Sequence, residues 1–461
     1  MQKQSHLRSV NAQIIRLSLP TMVGMLLQAL YDLVDLFWIG FISPAAVAAS
    51  TLFNTFFWIV EVLNEIVGTS SVSLISQSHG AQEYDRRDRI SEQTLFFKFL
   101  LALIGSALLA LMLPLLFDFF TNDPLVKQYG LEYGIIRIIF LPFFFSSYSV
   151  NTIFRCTDDA KTPMILMIIS AVMNMIADPL LMFDTIPGTS IRGLGWGMRG
   201  AAIATVGSIS FAFLVGFILL LRGKSGVKIN LRRLVTLDLH ISKQLFSIGL
   251  PSGINLLLRN LSMLLFMKMV SLYGTQVIAI SGIAMRIYSF AFMPGWGLGM
   301  GSGIVVGHSI GEGEIERAKK AVLMTTIDCV IIVGLFATPI MIFPSPVLSL
   351  FLGGVEVGST ASQLMRMIGP ALLVSSLMSG MGAAFMGSGQ NKPLLKSSMI
   401  GQWGVLVPVA IVVSVILKAP VIWLWSSLVL AEMAELVSRY YYYKKIDWEH
   451  AKIDQKHVTQ Q

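Results

Sequence analysis

Charge is what this sequence has least of. Only 13% of its 461 residues are Asp, Glu, Lys or Arg, while 54% are hydrophobic. A soluble chain carries about 25% charged residues, so this one cannot cover a soluble particle of its size. That excludes an ordinary cytosolic enzyme and a disordered regulator. Cysteine is nearly absent. Cys156 and Cys329 make neither a paired framework nor a metal-ligand spacing, which excludes a secreted disulfide scaffold and makes redox chemistry an unsuitable reading. No GxxxxGK[ST] loop is present to cradle ATP phosphates, and there is no HExxH or redox-cofactor motif. The run GMGSG at 299–303 reads as helix packing, not a phosphate cradle. With no catalytic constellation, an enzyme is not expected. No small-residue cleavage site follows the first apolar segment, so that segment reads as a retained helix.

What the sequence does have is long apolar runs. Twelve are long enough to span a bilayer, at roughly 14–39, 48–76, 95–117, 131–153, 163–183, 198–221, 245–270, 278–307, 321–343, 362–385, 395–417 and 420–443. A β-barrel would instead show alternating segments of about ten residues. The 39 glycines and 17 prolines suit membrane helices, whose neighbours re-satisfy freed backbone groups. With the N-terminus inside, the inner segments hold 24 basic residues and the outer loops only four: Lys127, Arg192, Arg199 and Lys418. The positive-inside bias therefore puts both termini in the cytoplasm. It also accounts for the net charge of +8 without nucleic acid.

The two halves match. Pro20 in LSLP aligns with Pro251 in IGLP, and Ala48 in AVAAS with Ala279 in VIAIS, both 231 residues apart. SQSHGAQEYDRR aligns with GHSIGEGEIERA at the same offset, and Pro163 with Pro393 one residue closer. Six crossings per copy is even, so both copies enter from one side as a parallel repeat. The expected fold is an all-α polytopic membrane protein, with twelve transmembrane helices in two six-helix bundles related by a parallel pseudo-two-fold. The expected boundaries are an N-terminal lobe at 1–222, a cytoplasmic linker at 223–243, a C-terminal lobe at 244–443 and a cytoplasmic tail at 444–461. Two such bundles are the architecture of an alternating-access carrier.

Ionisable residues inside a membrane are costly and mark function. The first half holds Asp32, Asp35, Glu61, Glu65 and Asp178. The places equivalent to Asp35, Glu61, Glu65 and Asp178 in the second half hold Phe266, Phe292, Trp296 and about Pro408. The acidic chemistry is thus not a demand of the repeated scaffold. Asn174 lies four residues before Asp178, on the same helical face. Pro179 leaves the Met175 carbonyl without its usual partner. These hard oxygens suit Na⁺ or a transferable proton. Glu61 and Glu65 share a face, with Asn64 beside them. They either attract a cationic substrate or pair with a basic residue such as Arg286 or Arg259. Arg259 is deep enough to balance the acidic set. Glu432, Glu435 and Arg439 read as structural, Glu435 to Arg439 having the stabilising i,i+4 order. Asp32, Glu61, Asn64, Glu65 and Asn151 are the candidate lining of a substrate cavity, to which Phe53, Phe57 and Trp58 would add aromatic surface.

These residues resemble the multidrug and toxic compound extrusion (MATE) family. The resemblance rests on LPTMVGMLLQALYDLVDLFWIG followed by PAAVAAS, then SQSHGA, RCTDDAKTP, NMIADP and GAAIAT, and the second-half counterparts GLPSGI and GSGQNKP. It covers about 14–443, and its first-half acids are similar to the DinF-like and archaeal branch. It implies export of organic, often cationic, compounds in exchange for Na⁺ or H⁺, with no other cofactor. It places the coupling residues at Asp35, Asn174, Asp178 and Thr205, the possible Na⁺ ligands. The expected protein is a multi-pass monomer of the cell membrane that binds no nucleic acid. Its rivals are a lipid-linked saccharide flippase of the same superfamily architecture, and a channel or non-transporting scaffold. A flippase would be expected to carry more cationic residues to hold a pyrophosphate.

Overall fold

The computed structural model of the chain describes residues 2–351 and 358–453. The outer part of the expected tail, 454–461 with Lys456, lies outside them. Among the described residues the chain is helical, with one isolated β-bridge between Thr185 and Arg192. In order, α1 spans Gln2–Ile42, α2 Pro44–Gly80, α3 Tyr84–Phe120, α4 Pro124–Ile139, α5 Leu141–Cys156, α6 Lys161–Met182 and α7 Gly197–Leu221. A short helix α8 (Leu231–Leu234) leads to α9 (Leu239–Val270), α10 (Thr275–Gly311), α11 (Ile315–Ile342) and α12 (Pro344–Phe351). Then come α13 (Ser359–Ser388), α14 (Lys392–Ser398), α15 (Val407–Ile411) and α16 (Val421–Lys444).

Among the described residues eleven spans are long and apolar enough to cross a membrane, counting Lys392–Ile416 as one. α4 and α5 meet at a 50° bend and together supply the twelfth. Each matches one of the twelve apolar runs. The helices are longer than the runs, because polar residues at their ends continue the helix: the third begins at Tyr84, not at 95. Local chemistry sets several ends. The Ser43 hydroxyl accepts from the Ala46 amide at 3.1 Å ahead of Pro44, starting α2. Asp123 does the same for α4, accepting from Leu125 at 2.9 Å ahead of Pro124. Gly389, at φ 73°, takes the left-handed turn that ends α13.

The chain divides into two compact units, residues 23–249 and residues 1–22 with 250–461. This differs from the expected lobes in two ways. The start of α1 belongs with the second unit, because glycines on α10 let it approach: a Cβ on Gly301 would meet the Ser18 backbone nitrogen at 2.9 Å. The expected linker, in turn, is docked on the first unit. The Arg87 guanidinium donates to the Gly226 carbonyl at 2.6 Å and that of Arg89 to the Arg233 carbonyl at 2.7 Å. Gln93 donates to the Thr236 carbonyl at 2.8 Å, and the Asn230 amide donates to Glu92 at 2.8 Å. Basic residues that set topology thus also fasten backbone.

The core of the first unit is aromatic, with Phe53 edge-on to Tyr133 and Phe56 edge-on to Phe117. Between α6 and α7 the chain folds back on itself. Leu194 and Trp196 donate to the carbonyls of Leu180 and Leu181, each at 2.8 Å. Gly200 is required here, since a Cβ would meet the Leu181 carbonyl oxygen at 2.5 Å. This seats the start of α7 against the end of α6, so Thr205 comes beside Asn174.

Candidate functional site

The expected coupling residues come together inside the first unit. Asn174 and Asp178, one turn apart on α6, are 1% and 0% exposed, and Thr205 on α7 is 3% exposed. Asn174 Nδ2 donates to Asp178 Oδ1 at 3.2 Å and to Thr205 Oγ1 at 3.4 Å. Thr205 donates its own proton to the Ala201 carbonyl at 3.1 Å. Asp35, half-buried on α1, lies within electrostatic reach of Asp178. Three acceptor oxygens here have no donor among the described residues: Asp35 Oδ1, Asn174 Oδ1 and Asp178 Oδ2. Buried acceptors left this way are expensive. An oxygen-only donor set fits a hard monovalent cation or a proton.

Arg137, on α4, completes the site and was passed over in the sequence as one basic residue within an apolar run. Asp32 and Asp35 both lie within its electrostatic reach. It donates to the Tyr133 hydroxyl at 2.7 Å and sits 5.3 Å from the Phe57 ring centroid. A small cleft lined by Phe57, Arg137, Phe144, Thr205 and Ser210 opens beside it. Asp32 and Asp35 thus share one guanidinium, and Asp178 adds a third carboxylate facing Asp35. Two negative charges remain to be balanced when all are ionised.

The candidate substrate residues do not form one lining. Asp32, exposed on α1, belongs with Asp35 and Arg137. Glu61, Asn64 and Glu65 on α2 form a second set. Asn64 Nδ2 donates to Glu61 Oε1 at 2.5 Å. The cation facing this set is Lys98 of α3, 1% exposed, with Nζ 5.9 Å from the Tyr148 ring centroid. Asn151, half-buried on α5, joins neither set by a hydrogen bond among the described residues.

Inside the first unit the basic side chain facing Glu61 and Glu65 is Lys98, which the sequence reading did not name. Arg259 has partners of its own. It bonds to Glu432 at 2.9 Å and to Glu435 at 3.2 Å, while Glu435 also pairs with Arg439. Ser375 donates to Glu432 at 2.8 Å. Together with Asp328 inside α11, these acids show that the second half also carries acids within its spans. The difference lies in compensation. Glu432 and Glu435 are matched by two arginines, whereas the carboxylates of the first unit outnumber their cations.

Comparison with known proteins adds the family. The MatE profile matches this chain twice, over residues 20–180 and 251–412. The chain belongs to the MatE family. The two matches start 231 residues apart, the offset of the internal landmarks, so each half is one copy of the family unit. This MatE chain is 29% identical over 444 residues to the probable multidrug resistance protein YoeA of Bacillus subtilis, covering 92% of this chain and 91% of that one. It is 23% identical to the probable multidrug resistance protein NorM of Thermotoga maritima, covering 87% and 85%. A solved MOP superfamily transporter from Pyrococcus furiosus shares its fold at TM-score 0.86 and 22% identity, over 96% of this chain and 97% of that one. So does an outward-facing multidrug resistance MATE family transporter, at TM-score 0.83 and 23% identity, over 95% of each chain. The chain is thus a multi-pass membrane protein of a multidrug transporter family.

Proposed function

We propose that this protein is a secondary antiporter. It exports organic, often cationic, small molecules in exchange for Na⁺ or H⁺ and alternates between inward-open and outward-open states. The observation that carries this reading is the set of donorless oxygens on Asp35, Asn174 and Asp178. Asp35, Asn174, Asp178 and Thr205 take up the coupling cation. Asp32, exposed and close in charge to the same site, meets the positive part of the substrate, with Asn151 nearby in sequence to Tyr148. Coupling follows from charge: the incoming cation and a cationic substrate draw on the same unbalanced carboxylates, so each weakens the other's hold. The protein works as a monomer in the cell membrane with both termini cytoplasmic.

The test is efflux from proteoliposomes of the purified chain, with Na⁺ and pH gradients imposed separately. One gradient is expected to drive efflux, and Asp35→Asn and Asp178→Asn to abolish that drive. Cation-driven exchange retained in both variants would refute the coupling role.

A further inference from the structure

The pair Glu61 and Asn64 carries a second, separate observation. One side of it is closed by the 2.5 Å bond from Asn64 Nδ2 to Glu61 Oε1. The other two polar atoms, Glu61 Oε2 and Asn64 Oδ1, are buried and have no partner among the described residues. Both are acceptors when Glu61 is ionised, so neither can satisfy the other. Asn64 is 4% exposed, so bulk water does not relieve it. A carboxylic acid and an amide make a cyclic pair with two hydrogen bonds: N–H to carbonyl oxygen one way, O–H to amide oxygen the other. The first of these bonds is in place, and the atoms of the second lack only its proton.

The surrounding charges point the same way. The groups facing Glu61 are Glu65 on its own helix, Lys98 on α3 and Tyr148 on α5. Lys98 in turn faces Glu65 and Arg155 of α5. Arg155 acts on Lys98, whereas the cation acting on both Glu61 and Glu65 is Lys98, so at the two carboxylates one negative charge is left over. A metal cation is disfavoured beside the Lys98 ammonium. A proton on Glu61 instead neutralises the excess and leaves Lys98 and Glu65 as a balanced pair.

We infer that Glu61, held by Asn64 and set against Glu65 and Lys98, is a second proton-binding site of the first unit, distinct from the cation site at Asp35 and Asp178. The proton binds Glu61 Oε2 from water in one state of the transport cycle and returns to water in the other. It is carried in addition to the ion bound at Asp35 and Asp178. This inference rests on the antiporter reading only for its transport consequence, since proton binding at Glu61 is measurable without transport.

The experiment uses the full-length chain in two readouts. The first is infrared spectroscopy in the Asp32→Asn/Asp35→Asn/Asp178→Asn background, which removes the carboxyls of the other site. A carbonyl band of a protonated carboxylic acid is expected there and is expected to vanish in the further variant Glu61→Gln. Gln preserves both bonds to Asn64, so the fold is retained. If that variant fails to fold, the background protein alone decides: a protonated-carboxyl band that titrates reversibly supports the site, and its absence overturns it. The second readout is proton counting per substrate in proteoliposomes of the otherwise unaltered chain. Glu61→Gln is expected to lower the count by one. A band or a count unchanged by Glu61→Gln overturns the inference. Loss of drive in Asp35→Asn, by contrast, reports only on the cation site.

Discussion

The Asn174 amide donates to the Thr205 hydroxyl at 3.4 Å, tying α6 to α7 at the proposed cation site. Because the same nitrogen also donates to Asp178, the Asn174 carbonyl oxygen is turned away from both and left free to accept. Asn174→Ala removes that oxygen and the orientation of Asp178 together. The half-saturating concentration of the driving cation is expected to rise about tenfold, on the order of 1.4 kcal/mol. Thr205→Ala is expected to shift it in the same direction by less, because it removes an oxygen but leaves the Asn174 to Asp178 bond. Efflux measured against cation concentration checks both. An unchanged cation dependence in Asn174→Ala would contradict the ligand assignment.

Arg259 is the hub of the second unit's ion cluster, bonded to both Glu432 and Glu435. Arg259→Met strands Glu432, which is 9% exposed in its side chain, while Glu435 keeps Arg439. The expected cost is about 3 kcal/mol, the low end for breaking a buried pair because one arginine remains. It reads out as a lower melting temperature in detergent. Replacing Arg259 and Glu432 together with apolar residues is expected to recover most of the loss, since Glu435 keeps Arg439 and no charge is then left unpaired. That recovery separates an ion-pair defect from a packing defect.

How much of this was legible in the sequence depends on what kind of signal each residue gives. The twelve crossings were readable because apolar length and loop charge are summed over many residues, so single errors cancel. Asn174 and Asp178 were readable because helical spacing and Pro179 place them without any knowledge of neighbours. Lys98 was not. It lies near the start of the apolar run 95–117, where a lysine reads as an interfacial residue. Yet α3 starts at Tyr84, which puts Lys98 fourteen residues, about 21 Å, along the helix. The hidden quantity was the polar first part of α3, which is covered by the docked 223–243 segment and so needs no lipid. The partner of Arg259 was illegible for another reason. Pairing between α9 and α16 spans more than 170 residues, and no local pattern reports it.

The docked segment after α7 gives a test of the boundary. Arg89 donates to the Arg233 carbonyl at 2.7 Å and to the Thr236 carbonyl at 3.3 Å. Arg89→Ala leaves two backbone carbonyls without that partner and removes the clasp on α8. Local opening there is expected to be easier by about 1–2 kcal/mol. Limited proteolysis within 223–243 should speed up roughly tenfold, with the melting of the remaining protein nearly unchanged. Equal cleavage rates would mean that the segment is held by other contacts.

Asp159, in the turn between α5 and α6, gives a pH-dependent prediction. Burial pushes its carboxyl up, but bonds from the Thr162 amide and hydroxyl and from Ser225, with Lys224 nearby, outweigh this and hold it below its ordinary value. A carboxyl depressed in the folded state stabilises above its unfolded value of about 3.9, and that stability is lost as pH falls through the folded value. Asp159→Asn is therefore expected to lower stability by about 1 kcal/mol at neutral pH, as for loss of a helix cap. The difference from the parent should shrink below about pH 4. A difference that stays constant into acid would mean that the loss comes from the side chain's hydrogen bonding and not from its charge.

Lys98 makes the sharpest demand on the electrostatic picture. It is almost fully buried and faces both Glu61 and Glu65. Lys98→Met keeps the apolar stem and removes the ammonium that faces Glu65, so Glu65 is left charged in a low-dielectric setting or forced to bind a proton. Either route costs several kcal/mol. If Glu65 is the residue that Lys98 balances, then Lys98→Met/Glu65→Gln leaves no unpaired charge and should regain most of the lost stability. Lys98→Met/Glu61→Gln should regain little, because Glu61 with its proton was not the charged partner. A double-mutant cycle in melting temperature compares the two rescues directly. Equal rescue by both would mean that the two carboxylates share the ammonium evenly.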